Sequence, residues 1–170
     1  MRTIFMLAGV LAIGNLAALA QQFQTDHFKC YFPDEATQVQ PSPVQLLDQF
    51  APSATTVGRI FRLCNPTRKF HQGAVTGVRF PDDHLTLHLT APQPVTVRQV
   101  KIKNQFGEQE LTTQDARVLA VPTQKAPHGP PVSVNHFNCY VAQGPQLQAP
   151  VGLSDPVSYT HLTLPTILRV

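Results

Sequence analysis

Three short stretches of the chain carry the same alternation of apolar and polar positions. Phe28, Cys30 and Phe32 share one side of an extended backbone, with His27, Lys29 and Tyr31 on the other. Leu85, Leu87 and Leu89 repeat the apolar set, and Phe137, Cys139 and Val141 repeat it again. Period-two alternation predicts half-buried strands of an antiparallel sheet. A second strand follows in two of the three places, with Val44, Leu46 and Phe50 answered by Val100, Ile102 and Phe106. A third is predicted over residues 55–61 and 111–119, where the alternation is looser. Pro33, Pro41 and Pro43 bound the first loop and Pro92 and Pro94 its counterpart, as expected of proline at strand ends. Gln72-Gly73 and His128-Gly129-Pro130-Pro131 are turn signals.

The strands belong to a repeat. Asp26-His27-Phe28-Lys29-Cys30-Tyr31 returns as Asp83-His84-Leu85-Thr86-Leu87-His88 and as Asn135-His136-Phe137-Asn138-Cys139-Tyr140. Asp48-Gln49-Phe50 is answered by Asn104-Gln105-Phe106, and Leu63-Cys64-Asn65-Pro66-Thr67-Arg68-Lys69 by Leu119-Ala120-Val121-Pro122-Thr123-Gln124-Lys125. A period of about 55 residues means repeated supersecondary structure. One unit of that size has only a thin core, so two units are expected to pack together as a pseudo-two-fold antiparallel sandwich or barrel. The expected division is residues 21–82 for the first unit and 83–134 for the second. Residues 135–155 start a third unit or close the sheet.

Composition supports an all-β class. The 170 residues hold sixteen prolines and no tryptophan, and β-branched runs lie between prolines and glycines. Both ends stand apart. Arg2, an apolar run over residues 4–20 and the small-residue pattern Ala18-Leu19-Ala20 predict a secretory signal peptide at residues 1–20. The run is too short and too broken for a membrane span, and no cysteine follows the cut to take a lipid. Residues 157–170 resemble translated sequencing-adapter sequence, so residues 156–170 are set aside as an artefactual tail and His161 carries no weight. Leaving out Arg2 and Arg169 reduces the 13 Lys and Arg to eleven, against 10 Asp and Glu. A net charge near +1, with no basic stripe, excludes a nucleic-acid binder.

The repeat also orders the cysteines. Leu87 and Ala120 of the second unit stand where the first has Cys30 and Cys64, so the pair is present together or absent together. That predicts a Cys30–Cys64 disulfide in an exported chain. Two independent buried thiols are the alternative. A zinc site would need closely spaced ligands, and no such pair occurs. Cys139 takes the place of Cys30 in the third unit and is unpaired in this chain.

Candidate chemistry is sparse. His27, His84 and His136 follow Asp26, Asp83 and Asn135, a pattern better suited to a turn device, in which the Asx side chain takes nearby backbone amides, than to a metal or acid-base site. His84 and His88 share a strand face but lie too far apart for one ion. His71 and His128 fall near equivalent turns, out of register. There is no Gly-x-Ser-x-Gly elbow and no phosphate-cradling glycine loop. Asp34-Glu35, Asp82-Asp83 and Glu108 with Glu110 read as solvated turn charges. No catalytic residue, cofactor or metal is predicted. Phe50, Phe106 and Tyr140, beside polar neighbours, are the aromatics that could line a glycan groove.

With these residues in hand, the chain resembles an uncharacterised family of exported bacterial tandem-repeat domains that carry Asp-His-Phe/Tyr-Lys-Cys-Tyr, Asp-Gln-Phe-Gly and Leu-Cys-x-Pro-x-x-Lys motifs. The motifs lie here at Asp26 to Tyr31, Asp48 to Phe50, Asn104 to Gly107 and Leu63 to Lys69, with Pro66 and Pro122 as signature positions. The resemblance implies export and a β-repeat architecture and carries no catalytic residue across. The expected role is a secreted, non-catalytic structural or interaction domain, in the extracellular space or cell envelope, that meets protein or glycan at a cell surface. A carbohydrate-binding module is the alternative, and a metal-dependent enzyme using His27 and His84 a third reading.

Overall fold

A computed structural model describes residues 25–33 and 40–155. The expected signal peptide and tail, and the Asp34-Glu35 pair, lie outside the described residues. Within them the fold is all β, without a helix. The strands are β1 (His27–Tyr31), β2 (Ser42–Leu47), β3 (Pro52–His71), β4 (Ala74–Thr76), β5 (His84–Thr90), β6 (Arg98–Asn104), β7 (Gly107–Thr123), β8 (Phe137–Gln143) and β9 (Gly152–Ser154). They form one antiparallel sheet that does not close, with the order β1-β3-β5-β7-β6. Off this path, β2, β4 and β9 pair with β3, and β8 pairs with β7.

The two long strands organise everything else. Each runs unbroken through the Leu-x-x-Pro motif, past the ends expected at residues 61 and 119. β3 takes β2 along its first residues and β1 further on, with β5 on the opposite edge. β7 takes β6, β5 and β8 in the same way. The registers coincide position by position. His27↔Thr67, Phe28↔Pro66 and Cys30↔Cys64 have their counterparts in His84↔Thr123, Leu85↔Pro122 and Leu87↔Ala120. Val44↔Thr55 is matched by Val100↔Leu111. Even the irregularities match. β3 slips against β5 between Val57 and Ile60 and between Ile60 and Arg62, and β7 slips against β8 between Thr113 and Ala116 and between Ala116 and Val118. Bulges of this kind bend a strand and increase its twist.

The prolines have a place in this scheme. Pairing of β3 to β5 stops at Cys64 and pairing of β7 to β8 stops at Ala120, two residues before Pro66 and Pro122. A residue with no N–H ends a ladder without leaving a donor stranded. Beyond Pro66, the end of β3 turns away to pair with β4 and β9. Gln72 and Gly73, both at positive φ (49° and 77°), close the β3–β4 hairpin, the backbone that a tight two-residue hairpin needs.

Along β1-β3-β5-β7 the strand pair of the first half is followed by that of the second in the same order and direction. One expectation changes. The expected buried face of the first strand is half open, with Cys30 exposed and Phe32 70% exposed. β1 ends the strand order, with β3 its one partner strand among the described residues. β5, flanked by β3 and β7, is instead buried on both faces at His84, Leu85 and Thr86.

The apolar core is small: Cys64, Leu85 and Ala120 at the centre, with Phe28, Leu87, Val134 and Cys139 packed on them. Cys30 and Cys64, cross-strand partners, form a disulfide. A bridge spanning 34 residues stabilises the fold by about 3–4 kcal/mol through loop closure. Thiol titration of the unreduced, denatured protein should count one free thiol, Cys139. Replacing Cys30 and Cys64 by Ser should lower unfolding stability by about 3–4 kcal/mol, read from denaturant midpoints; an unchanged midpoint contradicts the bridge.

Candidate functional site

Asp26 and Asp83, each just ahead of its histidine, use their carboxylates on the backbone. Asp26 accepts from the Arg79 amide (3.1 and 3.0 Å) and the Phe80 amide (2.7 Å). Asp83, 2% exposed, accepts from the amides of Val132 (2.7 Å) and Ser133 (3.3 and 3.2 Å) and from the Ser133 hydroxyl. The amides are not the nearby ones expected of an Asx turn. They belong to the segments that lead into the next Asx-His pair, so each aspartate ties the start of one unit to its end. Asn135 and His136 are exposed, and no hydrogen bond joins either side chain to another described residue.

The histidines part company. His84 is 1% exposed. Its Nδ1 lies 3.1 Å from Asn65 Oδ1, an oxygen that also accepts from Lys125 Nζ at 3.2 Å. Nδ1 therefore donates, leaving Nε2 a bare lone pair, buried without a partner. The His128 ring stands edge-on at 4.9 Å, and its own Nδ1 lies 3.0 Å from Asp82 Oδ1. Burial first, and then the charges of Lys125 and His128, push the His84 pKa down. His27 is lowered by burial and by Lys69. Lys69 and Lys125 occupy equivalent positions, and the repeat alone pointed to them. Asn65, Asp82 and Lys125 were not singled out for chemistry in the sequence, because what joins them is cross-strand proximity. Among the described residues no group of three or more His, Cys, Asp or Glu could hold a metal ion.

Phe50 and Phe106 each follow an Asx turn: Asp48 Oδ1 accepts from the Phe50 amide at 2.8 Å, and Asn104 Oδ1 from the Phe106 amide at 2.8 Å. The two rings then find different neighbours. Phe106 meets His71 edge-on at 5.2 Å. Phe50 meets Tyr140 edge-on at 5.3 Å, with the Arg98 guanidinium 4.8 Å over its ring. The Tyr140 hydroxyl donates to Asp48 Oδ2 at 2.5 Å, and Asn138 Nδ2 donates to the same oxygen at 3.0 Å. Along β3-β5-β7-β8, β3 and β8 are three strand spacings apart, about 14 Å in a flat sheet. A contact from the β2–β3 turn to β8 therefore requires the sheet to roll. Glu108 and Glu110 pair across the β6–β7 hairpin with Lys103 and Lys101, all four side chains exposed.

Burial pulls the Asp48 carboxyl up, but hydrogen bonds from Tyr140, the Phe50 amide, Asn138 and the Ala51 amide together outweigh it and hold the group at about 2, below its ordinary 3.8. Burial, and then the hydrogen bond to Asp48 and its charge, push Tyr140 from 10.0 to about 12. The fold favours ionised Asp48 and neutral Tyr140. Asp48 therefore contributes stability that is full above pH 3.8 and lost as pH falls toward about 2. The Tyr140 contribution is full below pH 10.0 and lost as pH rises toward about 12. Melting temperature followed across both windows should fall at each end, with Asp48→Asn flattening the acid limb and Tyr140→Phe the alkaline one; unchanged limbs contradict the pairing. Asp83→Ala, which takes a buried carboxylate acceptor from the Val132 and Ser133 amides, should cost about 1–3 kcal/mol in urea unfolding, against a smaller loss for Asn135→Ala at the exposed counterpart. Set against protein-family models, characterised proteins and solved structures, the chain matches none.

Proposed function

We propose that the chain is a secreted, non-catalytic module of duplicated β-units that works by surface contact, as a structural or interaction domain of an extracellular or cell-surface protein. The resemblance to exported tandem-repeat domains supports this, as does the cystine between Cys30 and Cys64, a bond that persists in oxidising compartments. The carrying observation is how the signature acids are used. Asp26 and Asp83 hold backbone amides, Asp48 holds a turn and a tyrosine, and burial pushes the pKa of the His84 imidazole down. Groups spent on holding strands together are not free to move protons for a substrate.

A carbohydrate site at Phe50 is the second reading, favoured by the cluster of Phe50, Tyr140, Asn138 and Asp48. Sugar rings stack on an aromatic face, and Arg98 lies over that of Phe50. A glycan array separates the two. The proposal expects no saturable binding; binding that is lost in Phe50→Ala or Phe106→Ala would replace it with the lectin-like role. For export, residues 1–24 fused to a phosphatase that is active only outside the cytoplasm should give enzyme activity, and an inactive, cytoplasmic fusion would overturn the secreted assignment.

A further inference from the structure

The two edges of β5 are both filled, by β3 and by β7, whereas β8 has only one filled edge among the described residues, by β7. The filled edge of β8 corresponds to the β3 side of β5: Cys64↔Leu85, Arg62↔Leu87 and Ile60↔His88 reappear as Ala120↔Phe137, Val118↔Cys139 and Ala116↔Tyr140, with both bulges in place. The open edge of β8 therefore corresponds to the β7 side of β5 and to the β3 side of β1. On that side β1 presents Cys30 to Cys64, and Cys139 stands at the same position of β8.

We propose that the open edge of β8 is an acceptor site for one further strand of the kind β3 and β7 represent, laid antiparallel with a cysteine opposite Cys139 and a proline opposite Phe137. This rests on the repeat reading. The register follows from Cys30↔Cys64 and Phe28↔Pro66. Directly opposite residues of an antiparallel pair share a face, so the incoming sulfur would reach the side on which Cys139 packs against Cys64, Leu85 and Ala120. A second observation points the same way. Asp26 and Asp83 each hold a later segment, while Asn135 holds none of the described residues, leaving the start of the third unit untied at the edge where the strand would dock. Phe137 at 39% exposure and the row of unpaired backbone groups are what strand addition covers. A second copy offers no such strand, because both edges of its β3 and β7 are taken; the occupant is a separate segment with the Leu-Cys-x-Pro pattern.

Bridging Cys139 to that cysteine removes two protons and two electrons from the two thiols. A small disulfide such as oxidised glutathione takes them up and leaves as two thiols. In the test the oxidant is built into the probe, a synthetic peptide with the sequence of residues 57–69 whose cysteine carries a thionitrobenzoate. The Cys139 thiolate attacks the peptide sulfur, one S–S bond replaces another, and thionitrobenzoate leaves with the electron pair and is read by absorbance. The intact protein should react at least about tenfold faster with this peptide than with a scrambled peptide of the same composition, the ratio given by about 1.4 kcal/mol of pairing. Mass spectrometry should place the adduct on Cys139, Cys139→Ser should abolish the release, and hydrogen exchange should show new protection of the β8 amides that face away from β7. Equal rates for the two peptides, or a Cys139–Cys139 dimer formed in preference to the adduct, overturns the acceptor site. The exchange reads only strand register, so a cytoplasmic fusion or a glycan-binding result bears on the proposed role and leaves this test standing.

Discussion

The fold depends on the pairing register of two long strands. β3 and β7 each hold three other strands of the main sheet, along two edges, and a slip of one residue would turn every side chain of a strand to the opposite face. Several independent features fix that register. Cys64 faces Cys30 and is bonded to it. Pro66 and Pro122 stop the ladder where their missing donors would have been needed. The bulges place Gly58 so that its carbonyl lies 3.1 Å from His88 Nδ1, which keeps a backbone group displaced from the ladder from going unpaired.

Register explains why polar groups fill so much of the interior. The buried apolar side chains are few and mostly small, while Asn65, Thr67, Lys69, Asp83, His84 and Asp115 are all buried. Buried polar groups persist only when paired, and here the partners lie both within a unit and across to the other one. Asp83 reaches Val132 and Ser133, Asn65 reaches His84 and Lys125, and Asp115 pairs with Arg117. A thin apolar core is thus supplemented by directional ties, within the second half at Asp83 and between the halves at Asn65.

Much of this was legible in the sequence, for reasons that are local. The alternation at Phe28, Cys30 and Phe32 marks a strand because side chains alternate along a pleat, and Gln72-Gly73 marks a hairpin because its backbone needs positive φ. The cystine was legible because its members vanish together at Leu87 and Ala120. What could not be read depends on distance along the chain. The third strand was expected to end at residues 61 and 119, yet β3 and β7 run on through Pro66 and Pro122, because pairing on one edge stops there while the other continues. β4 and β9 are too short to leave a periodic signal. The partners of Asp26 and Asp83, and the hydroxyl bonds of Tyr140 to Asp48 and of Tyr31 to Asp155, join residues that only the folded sheet brings together.

The uneven distribution of sulfur follows from strand position. β5 lies between two long strands, so Leu87 and Ala120 meet in an interior where packing from both sides holds the pair. Among the described residues β1 pairs with β3 alone, and its Cys30 is exposed while Cys64 is 1% exposed. A covalent link acts chiefly by restricting the unfolded chain, so it stabilises a terminal strand without needing the burial that such a strand lacks. Cys139 lies on β8, which like β1 pairs with a single strand among the described residues, and no cysteine lies on β5. Of the three equivalent opening strands, β1 and β8, each paired on one side, carry cysteine, and β5, paired on both, carries leucine at the same position.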